Sequence, residues 1–370
     1  MPSYKNLGVR TLINAVDTYT IIGGSLMPEE VIHAMVEAGK SFVNIEELQD
    51  KAGQRLAQLT RNESALITNG AAAGMAIVTA ACVAGDDLAK AERLPDTLGM
   101  KNEVIMHRSQ RNGYDHAIRQ VGVKLVEIGN VDVTYPWQLE SAINDRTACI
   151  FYFDAATLKK GVLPLETVIE IGQKHGIPVI VDAAAQLPPV ENLWRFTEMG
   201  ATAAIFSGGK TLRGPQCTGL VVGKRDLIHA CRIHMSPRHS IGRSMKVGKE
   251  EMMGLLAAVE RYIRLDHAKV THELEQRVQL IQKSLNNPGL TVQRVFPGPV
   301  GQHYPRAAVI LDSSMPLSAL ELKNQLEWGE PGIMVGLTPD EQGIIINPLN
   351  LQDHEIPLII DRMKALLSME

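Results

Sequence analysis

The chain has 370 residues, 45% of them apolar and 21% charged, with 37 Lys and Arg against 41 Asp and Glu for a formal charge of −4. That is the balance of a globular protein with room for two or three domain-sized units and a buried core. It carries no whole-protein basic field, and aromatics at 4% are too few for a base-stacking platform, so composition does not point to nucleic acid.

The N-terminus, MPSYKNLGVR, lacks the basic-then-apolar pattern of a secretion signal. From about residue 60 to 225, short apolar runs alternate with helical patterns. SALIT (64–68) leads into a small-residue helix whose stretch AAAGMAIVTAACVAG (71–85) is too short and too rich in Ala and Gly to span a bilayer. NEVIM (102–106) precedes GYDHAIRQVG, VKLVEIG (123–129) precedes YPWQLESAIN, and ACIFYFD (148–154) precedes PLETVIEIGQKHG. IPVIVD (177–182) is followed by a Pro-rich loop and NLWRFTEMG, and ATAAIF (201–206) ends at a lysine loop. Strands alternating with helices predict crossover units and a mainly parallel sheet with helices on both faces. Such sheets bind ligands at the carboxyl ends of their strands, where Thr68, Asp154, Asp182 and Ser207 fall.

After 248 the texture changes to a long helical stretch, KEEMMGLLAAVERYIRLDHAKVTHELEQRVQLIQKSLN, read as two helices or one bent one. Strand-like AAVIL (307–311) and GIIIN (343–347) follow, with a terminal helix IPLIIDRMKALL. The expected division is a large N-terminal domain with its arm over 1–255, and a connecting helix with a smaller α+β domain over 256–370. Cys82, Cys149, Cys217 and Cys231 form no C-x-x-C pair and no zinc framework, so no metal is expected. Cys82, Cys149 and Cys217 lie in apolar surroundings and read as buried reduced thiols, which fits a cytoplasmic protein.

The lysine loop, SGGKTLRGPQ (207–216), contains Gly-Lys-Thr, as nucleotide phosphate loops do. That pattern needs a glycine where Ala204 stands and a helix starting at the lysine. Here Gly214, Pro215 and the strand-like GLVVG (219–223) make the unit strand–loop–strand, and the ATP reading fails. Lys210 instead reads as an amine at a strand end, which in an apolar site becomes a usable carbonyl nucleophile, or else as a surface lysine.

Three further features share one logic. Asp182 ends an apolar run, so its carboxylate needs a cationic partner such as a protonated pyridine nitrogen, unless it caps a helix. ITNGAAAGMAI (67–77) runs a strand into a helix whose bare amides suit an anion, or makes a tight turn. Ser207, just before the lysine loop, could hold the same anion or simply end its strand. Each is ordinary alone. Together, in this order, they match what a fold-type I pyridoxal phosphate (PLP) enzyme requires.

The stretches INAVDTYTIIGGSLMPEEVIHAM, ELQDKAGQRLAQLT, TNGAAAG, VDAAAQLPP and FSGGKTLRGPQCTGLVVG resemble the selenocysteine synthase family, in particular its tRNA-independent ammonia-lyase branch. The resemblance runs from about residue 7 to 260. It implies the fold-type I architecture, α/β with a seven-stranded sheet, and PLP carried on Lys210 with Asp182 at the ring nitrogen. Gly70, Ala71, Ala72 and Ser207 would contact the cofactor phosphate, Gln186 its phenolic oxygen. DAAAQ is one residue longer than the D-x-x-Q spacing of relatives. The ring-stacking residue should come from HRSQRNGYDHAIR, with His107, Arg111, Tyr114 and His116 as candidates and Tyr114 the one expected to contact the cofactor. The stretch where relatives carry a carboxylate-binding arginine has Asn347 instead, which leaves Arg213 and Arg306 for that role.

The run RIHMSPRHSIGRSMKVGKEE (232–251) carries Arg232, Arg238, Arg243, Lys246 and Lys249. It reads as a solvated basic face or as a clamp for a phosphorylated substrate, with Arg238, Arg243 and Lys246 as contacts. The implied activity is ammonia loss from a phosphorylated 2-amino sugar acid such as D-glucosaminate 6-phosphate, in a homodimer or larger homo-oligomer, with no nucleic acid or membrane partner. The alternatives are selenium or sulfur transfer, racemisation or aldol cleavage on the same scaffold, or a non-catalytic scaffold.

Overall fold

The structure is a computed structural model that describes residues 2–369. Its strands in chain order are β1 (Leu12–Ala15), β2 (Ser64–Thr68), β3 (Glu103–His107), β4 (Lys124–Ile128), β5 (Thr147–Phe153) and β6 (Val179–Asp182). There follow β7 (Ala203–Ser207), β8 (Gly219–Gly223), β9 (Leu290–Val295), β10 (Arg306–Leu311), β11 (Gly332–Leu337) and β12 (Gly343–Ile346). They form a seven-stranded sheet in the order β2-β8-β7-β6-β5-β3-β4 and a five-stranded sheet in the order β1-β11-β12-β10-β9.

The chain divides into two compact units. The larger holds Met27–Arg264 and Pro299–Gln302, and the smaller holds the residues up to Leu26, Leu265–Gly298 and those from His303 onward. This differs from a division at 255/256. That point falls inside the helix Lys249–Arg264, which packs on the helices Glu29–Gly39 and Ile45–Leu59 of the larger unit. The N-terminal arm joins the smaller unit because β1 pairs in parallel with β11. The long helical stretch breaks before His267, where the Asp266 side chain accepts the Lys269 N–H at 3.0 Å and caps the second helix, His267–Leu285.

In the larger unit β3, β4, β5, β6 and β7 pair in parallel, while β8 runs antiparallel to both neighbours. A strand flanked on both sides and covered on both faces is apolar along nearly its whole length, and all seven residues of β5 are buried, apolar after Thr147 except for the Tyr152 hydroxyl. The reversal at β8 follows from its connection, a loop instead of a crossover helix. That loop, residues 208–218, therefore sits at the carboxyl end of β7. The helix Gly70–Ala84 lies against β5, β7 and β8 and is almost wholly buried. Its small residues are needed there: a Cβ on Gly74 would stand 3.1 Å from side-chain carbons of both Ile205 and Val221. With Met75, Ile77, Val104, Phe151, Ile205 and Val221 it forms the main core, each fully buried large side chain contributing about 1.5–3 kcal/mol of transfer free energy.

The smaller unit packs the helices His267–Leu285, Ala319–Glu327 and Glu355–Leu366 with its sheet around a second core of Val278, Ile281, Leu322, Ile333 and Ile359. Cys149 and Cys231 are buried and Cys82 is partly so, but Cys217 is exposed, contrary to the expectation of a buried thiol. The apolar letters that follow it belong to β8, and Cys217 itself stands in the loop before that strand. No described helix is long and apolar enough to cross a membrane.

Candidate active site

Three neighbouring parallel strands, β5, β6 and β7, end at one edge of the large sheet. Register sets Phe153 beside Asp182 and Asp182 beside Ile205. The edge is tied by the Asp154 N–H donating to the Asp182 carbonyl at 3.0 Å and the Ala183 N–H to the Ile205 carbonyl at 2.9 Å. The Asp182 carboxylate accepts the Ala184 N–H at 2.9 Å. The residue as a whole is half-buried, and burial pushes its pKa up. The Ala184 hydrogen bond and the charge of Lys210 pull it back down, and Asp154 adds to the rise.

Lys210 is half-buried in a loop that closes on its own backbone. The Gly208 N–H donates to the Thr218 carbonyl at 2.8 Å, the Gly214 N–H to the Gly208 carbonyl at 2.8 Å, and the Arg213 N–H to the Lys210 carbonyl at 2.9 Å. Thr211 Oγ1 donates to the Leu187 carbonyl at 2.8 Å. A Cβ on Gly209 would stand 2.4 Å from the Cα of Gln216, so only glycine lets the two limbs of the loop meet. Arg213 completes the turn with a left-handed φ of 58°, a strained conformation for a side-chain residue.

Next to this loop, β2 runs through Thr68 and Asn69 into the helix Gly70–Ala84. Gly70 has φ +78°, and the position of its absent Cβ is open, with no atom within 4 Å. Thr68 Oγ1 donates to the Gly70 carbonyl at 3.0 Å. A Cβ on Gly219, the first residue of β8, would lie 2.5 Å from that carbonyl, so the helix start approaches the strand only because glycine stands there. Ala71 is half-buried and Ala72 exposed. The site thus joins an amine, an acid within its electrostatic reach and an open helix start beside the Ser207 strand end. This donor set fits pyridoxal phosphate: amides for the phosphate, an acid for the ring nitrogen and an amine for the aldehyde.

The other expected residues have the following surroundings. Gln186 is buried, and its Nε2 donates to the Val300 carbonyl at 3.1 Å. That amide serves the strap Pro299–Gln302, whose Val300 carbonyl also accepts the Ala156 N–H at 3.1 Å. His107 is fully buried, edge-on to Tyr152, with Nε2 accepting the Leu163 N–H at 3.1 Å, so it belongs to the core and not to a ring stack. Arg111 pairs with Asp115 and Glu127. Tyr114 and His116 are exposed. Arg306 is buried in the smaller unit, where its Nη2 donates to Asp17 at 3.1 Å and to the Tyr304 hydroxyl at 2.9 Å, while its buried Nη1 has no partner among the described residues. Asn347 Nδ2 donates to the same hydroxyl at 3.3 Å.

The basic run is divided by its partners. Arg232 pairs with Asp50, Arg238 with Glu46 at 3.0 Å, and Lys249 with Glu250. Arg243 and Lys246 are exposed and make no ion pair among the described residues. The Lys246 carbonyl accepts from Asn69 Nδ2 at 2.8 Å, at the start of the helix Gly70–Ala84. Neither this link nor the strap has a local signal in the sequence, since each joins residues more than a hundred positions apart. Asp154, a strand end in the sequence, is paired with Lys159, whose Nζ lies 2.8 Å from its carboxylate.

The profile of the L-seryl-tRNA selenium transferase family, SelA, matches residues 12–293. The chain belongs to the SelA family. It is 32% identical over 370 residues to a D-glucosaminate-6-phosphate ammonia lyase of Salmonella typhimurium, covering 98% of this chain and 97% of that one. It is 36% identical over 340 residues to a 5'-C-glycyluridine monooxygenase-decarboxylase of a Streptomyces species, covering 89% of this chain and 83% of that one. A solved structure of a D-glucosaminate-6-phosphate ammonia-lyase superposes with a TM-score of 0.89 at 33% identity, over 100% of this chain and 99% of that one. This SelA-family chain therefore has the fold-type I architecture expected from its sequence, with a large sheet flanked by helices and a smaller α+β unit.

Proposed function

We propose that this chain is a PLP-dependent ammonia-lyase acting on a phosphorylated 2-amino sugar acid, D-glucosaminate 6-phosphate, with release of ammonia and 2-keto-3-deoxygluconate 6-phosphate. The observation that carries the reading is the full-length match in fold to the ammonia-lyase structure, combined with Lys210 in a backbone-locked loop within electrostatic reach of Asp182. When bound, the cofactor supplies an electron-accepting ring that makes loss of the substrate Cα proton feasible.

The protein's residues supply the rest. Asp182, pushed toward its neutral form by burial, gains a reason to stay ionised opposite a cationic ring nitrogen, which it keeps protonated. The Gly70, Ala71 and Ala72 amides and the Ser207 hydroxyl hold the cofactor phosphate. Lys210 would hold the cofactor aldehyde, and its amine is the group placed to take the substrate Cα proton and to return one to the C3 hydroxyl, which leaves as water; a water molecule then hydrolyses the C2 imine and releases ammonia. Arg243 and Lys246 meet the substrate phosphate, Arg213 its carboxylate. The working form is a homodimer or larger, and the exposed Ile32, Val36, Phe42 and Val43 of the larger unit support an interface between copies. Four unpaired cysteines fit a cytoplasmic setting.

A second reading is oxidative decarboxylation of a nucleoside amino acid, favoured by the 36% identity to the Streptomyces relative. One experiment separates them. Purified protein is loaded with PLP and given D-glucosaminate 6-phosphate, free D-glucosaminate, or serine, with ammonia and oxygen both followed. The lyase reading expects ammonia without oxygen uptake, fastest from the phosphorylated acid. Lys210→Ala should lose the covalently bound yellow colour and at least about 10²–10⁴-fold in rate, the usual worth of a positioned proton-transfer group. Ammonia release that depends on oxygen, or no release from any of the three, would overturn it.

A further inference from the structure

We propose that Asn69 is a positioning residue: by pinning the backbone at Lys246 to the start of the helix Gly70–Ala84, it sets this chain's preference for a phosphorylated substrate. This rests on the reading of Arg243 and Lys246 as substrate-phosphate contacts.

An asparagine just before a helix ordinarily turns its oxygen onto the first free N–H groups. Asn44 does so for its helix, accepting from Glu46 and Glu47 at 2.9 and 3.1 Å. Asn69 makes no such cap. Its Nδ2 donates instead to the Lys246 carbonyl at 2.8 Å, across 177 positions of sequence. Two things follow. The first-turn amides of the helix keep no capping oxygen from Asn69, so they stay available. A surface loop is also fastened at the same spot.

That loop is held at the far end of the same helix too. His234 Nε2 lies 2.8 Å from the carbonyl of Gly85, the residue that ends the helix. Between the two tethers the Gly242 N–H donates to the His234 carbonyl at 2.9 Å, and the Met245 N–H to the Gly242 carbonyl at 3.0 Å. Met235, Ile241 and Met245 pack on the core that contains the helix. Residues 234–242 therefore fold back on themselves at the Gly85 end of the helix, and the segment is tied again at the Asn69 end through Lys246. Within the segment Arg238 is taken by Glu46, which leaves Arg243 and Lys246 with no ion pair among the described residues, Lys246 at the Asn69 tether itself. A cation on a loose loop loses conformational entropy when it grips an anion, and a pinned backbone has already lost part of it.

The test uses Asn69→Ala and Lys246→Ala in the full chain. Losing one neutral hydrogen bond of this kind is a factor of about 2–10 in an equilibrium. Asn69→Ala should raise KM for D-glucosaminate 6-phosphate by about that factor, with kcat and the Kd for PLP within about twofold of wild type. Lys246→Ala should raise KM in the same direction, and the double variant should add little to it, since both act through one side chain. Trypsin should cut the Asn69→Ala apoprotein faster at Arg243 and Lys246. A weakened Kd for PLP with unchanged KM would assign the tether to the cofactor phosphate and overturn the proposal. So would unchanged KM together with unchanged proteolysis. If the wild type releases no ammonia from the sugar acid, the lyase reading fails on its own. The tether is then read from inorganic phosphate, which should slow cleavage at Lys246 in wild-type holoenzyme more than in Asn69→Ala; equal protection would overturn it.

Discussion

The loop that carries Lys210 and the basic run from 232 to 249 hold their cations in opposite ways. In the lysine loop, backbone fills the space: Gly208, Gly214 and Thr218 are joined by short main-chain hydrogen bonds, and Gly209 leaves no room for a Cβ against Gln216. In the basic run, the backbone is fastened at two points and the side chains go to whichever acids nearby helices present, Asp50, Glu46 and Glu250. A loop shaped by its own main chain has one way to place its lysine. A loop shaped by side-chain pairing leaves functional only the cations it does not pair.

Gly209→Ala should break the rigid member of this contrast and give the largest effect. The new methyl meets main chain, so the loop must open, at a cost of about 1–3 kcal/mol seen in denaturant or thermal unfolding. Because a displacement of roughly 1 Å at a reacting group can cost about 100-fold, turnover should fall by that order. Gly113→Ala is the control: its Cβ would meet nothing within 4 Å, and both measurements should stay near wild type. Normal turnover in Gly209→Ala would mean that the loop does not owe its shape to the glycine.

The same contrast explains what could be read from sequence. Strands buried on both faces leave unbroken apolar runs, so β5 and its neighbours were legible to within a residue or two. The candidate site could be read in the same way, since Asp182 closes one apolar run and Lys210 follows another with Gly208 and Gly209 before it. Less was legible in the smaller unit. β9, with the sequence LTVQRV, is half exposed and interleaves polar residues, and β1 finds its partner β11 some three hundred positions later. His107 illustrates a different limit: a histidine at a strand end can turn toward the ligand or inward, and here it turns inward onto Tyr152. Arg238 and Lys246 are alike in sequence. They part only because Glu46, far upstream in the chain, stands beside one of them.

The tether of the basic run can be loosened by pH. Burial holds the His234 imidazole below its ordinary pKa, opposed by its contact with the Gly85 carbonyl. The unfolded chain then takes up a proton that the folded chain refuses, so His234 supports stability above about pH 6.5, and that support fades as pH falls toward its folded value. His107, pushed down to about 4 by its burial, acts with the same sign. Unfolding free energy should therefore decline on acidification below about pH 6.5, with trypsin reaching the 234–246 segment more easily. His234→Gln should flatten part of that acid limb, leaving the share due to His107. An unchanged slope would show that His234 is not a buried neutral tether.

Arg238→Ala should do least, and for that reason it sharpens the contrast most finely. Its pair with Glu46 is about half exposed on both sides. Such pairs contribute roughly 0–1 kcal/mol, less at high salt. Melting should barely move, and KM for the phosphorylated substrate should stay within about twofold, unlike Lys246→Ala. Running both variants at low and high ionic strength gives the decisive comparison. If pairing sorts these cations, only Lys246→Ala changes KM, at either salt level. If the basic run acts instead as a diffuse positive field, the two variants should raise KM alike, and both effects should fade together as salt screens the surface.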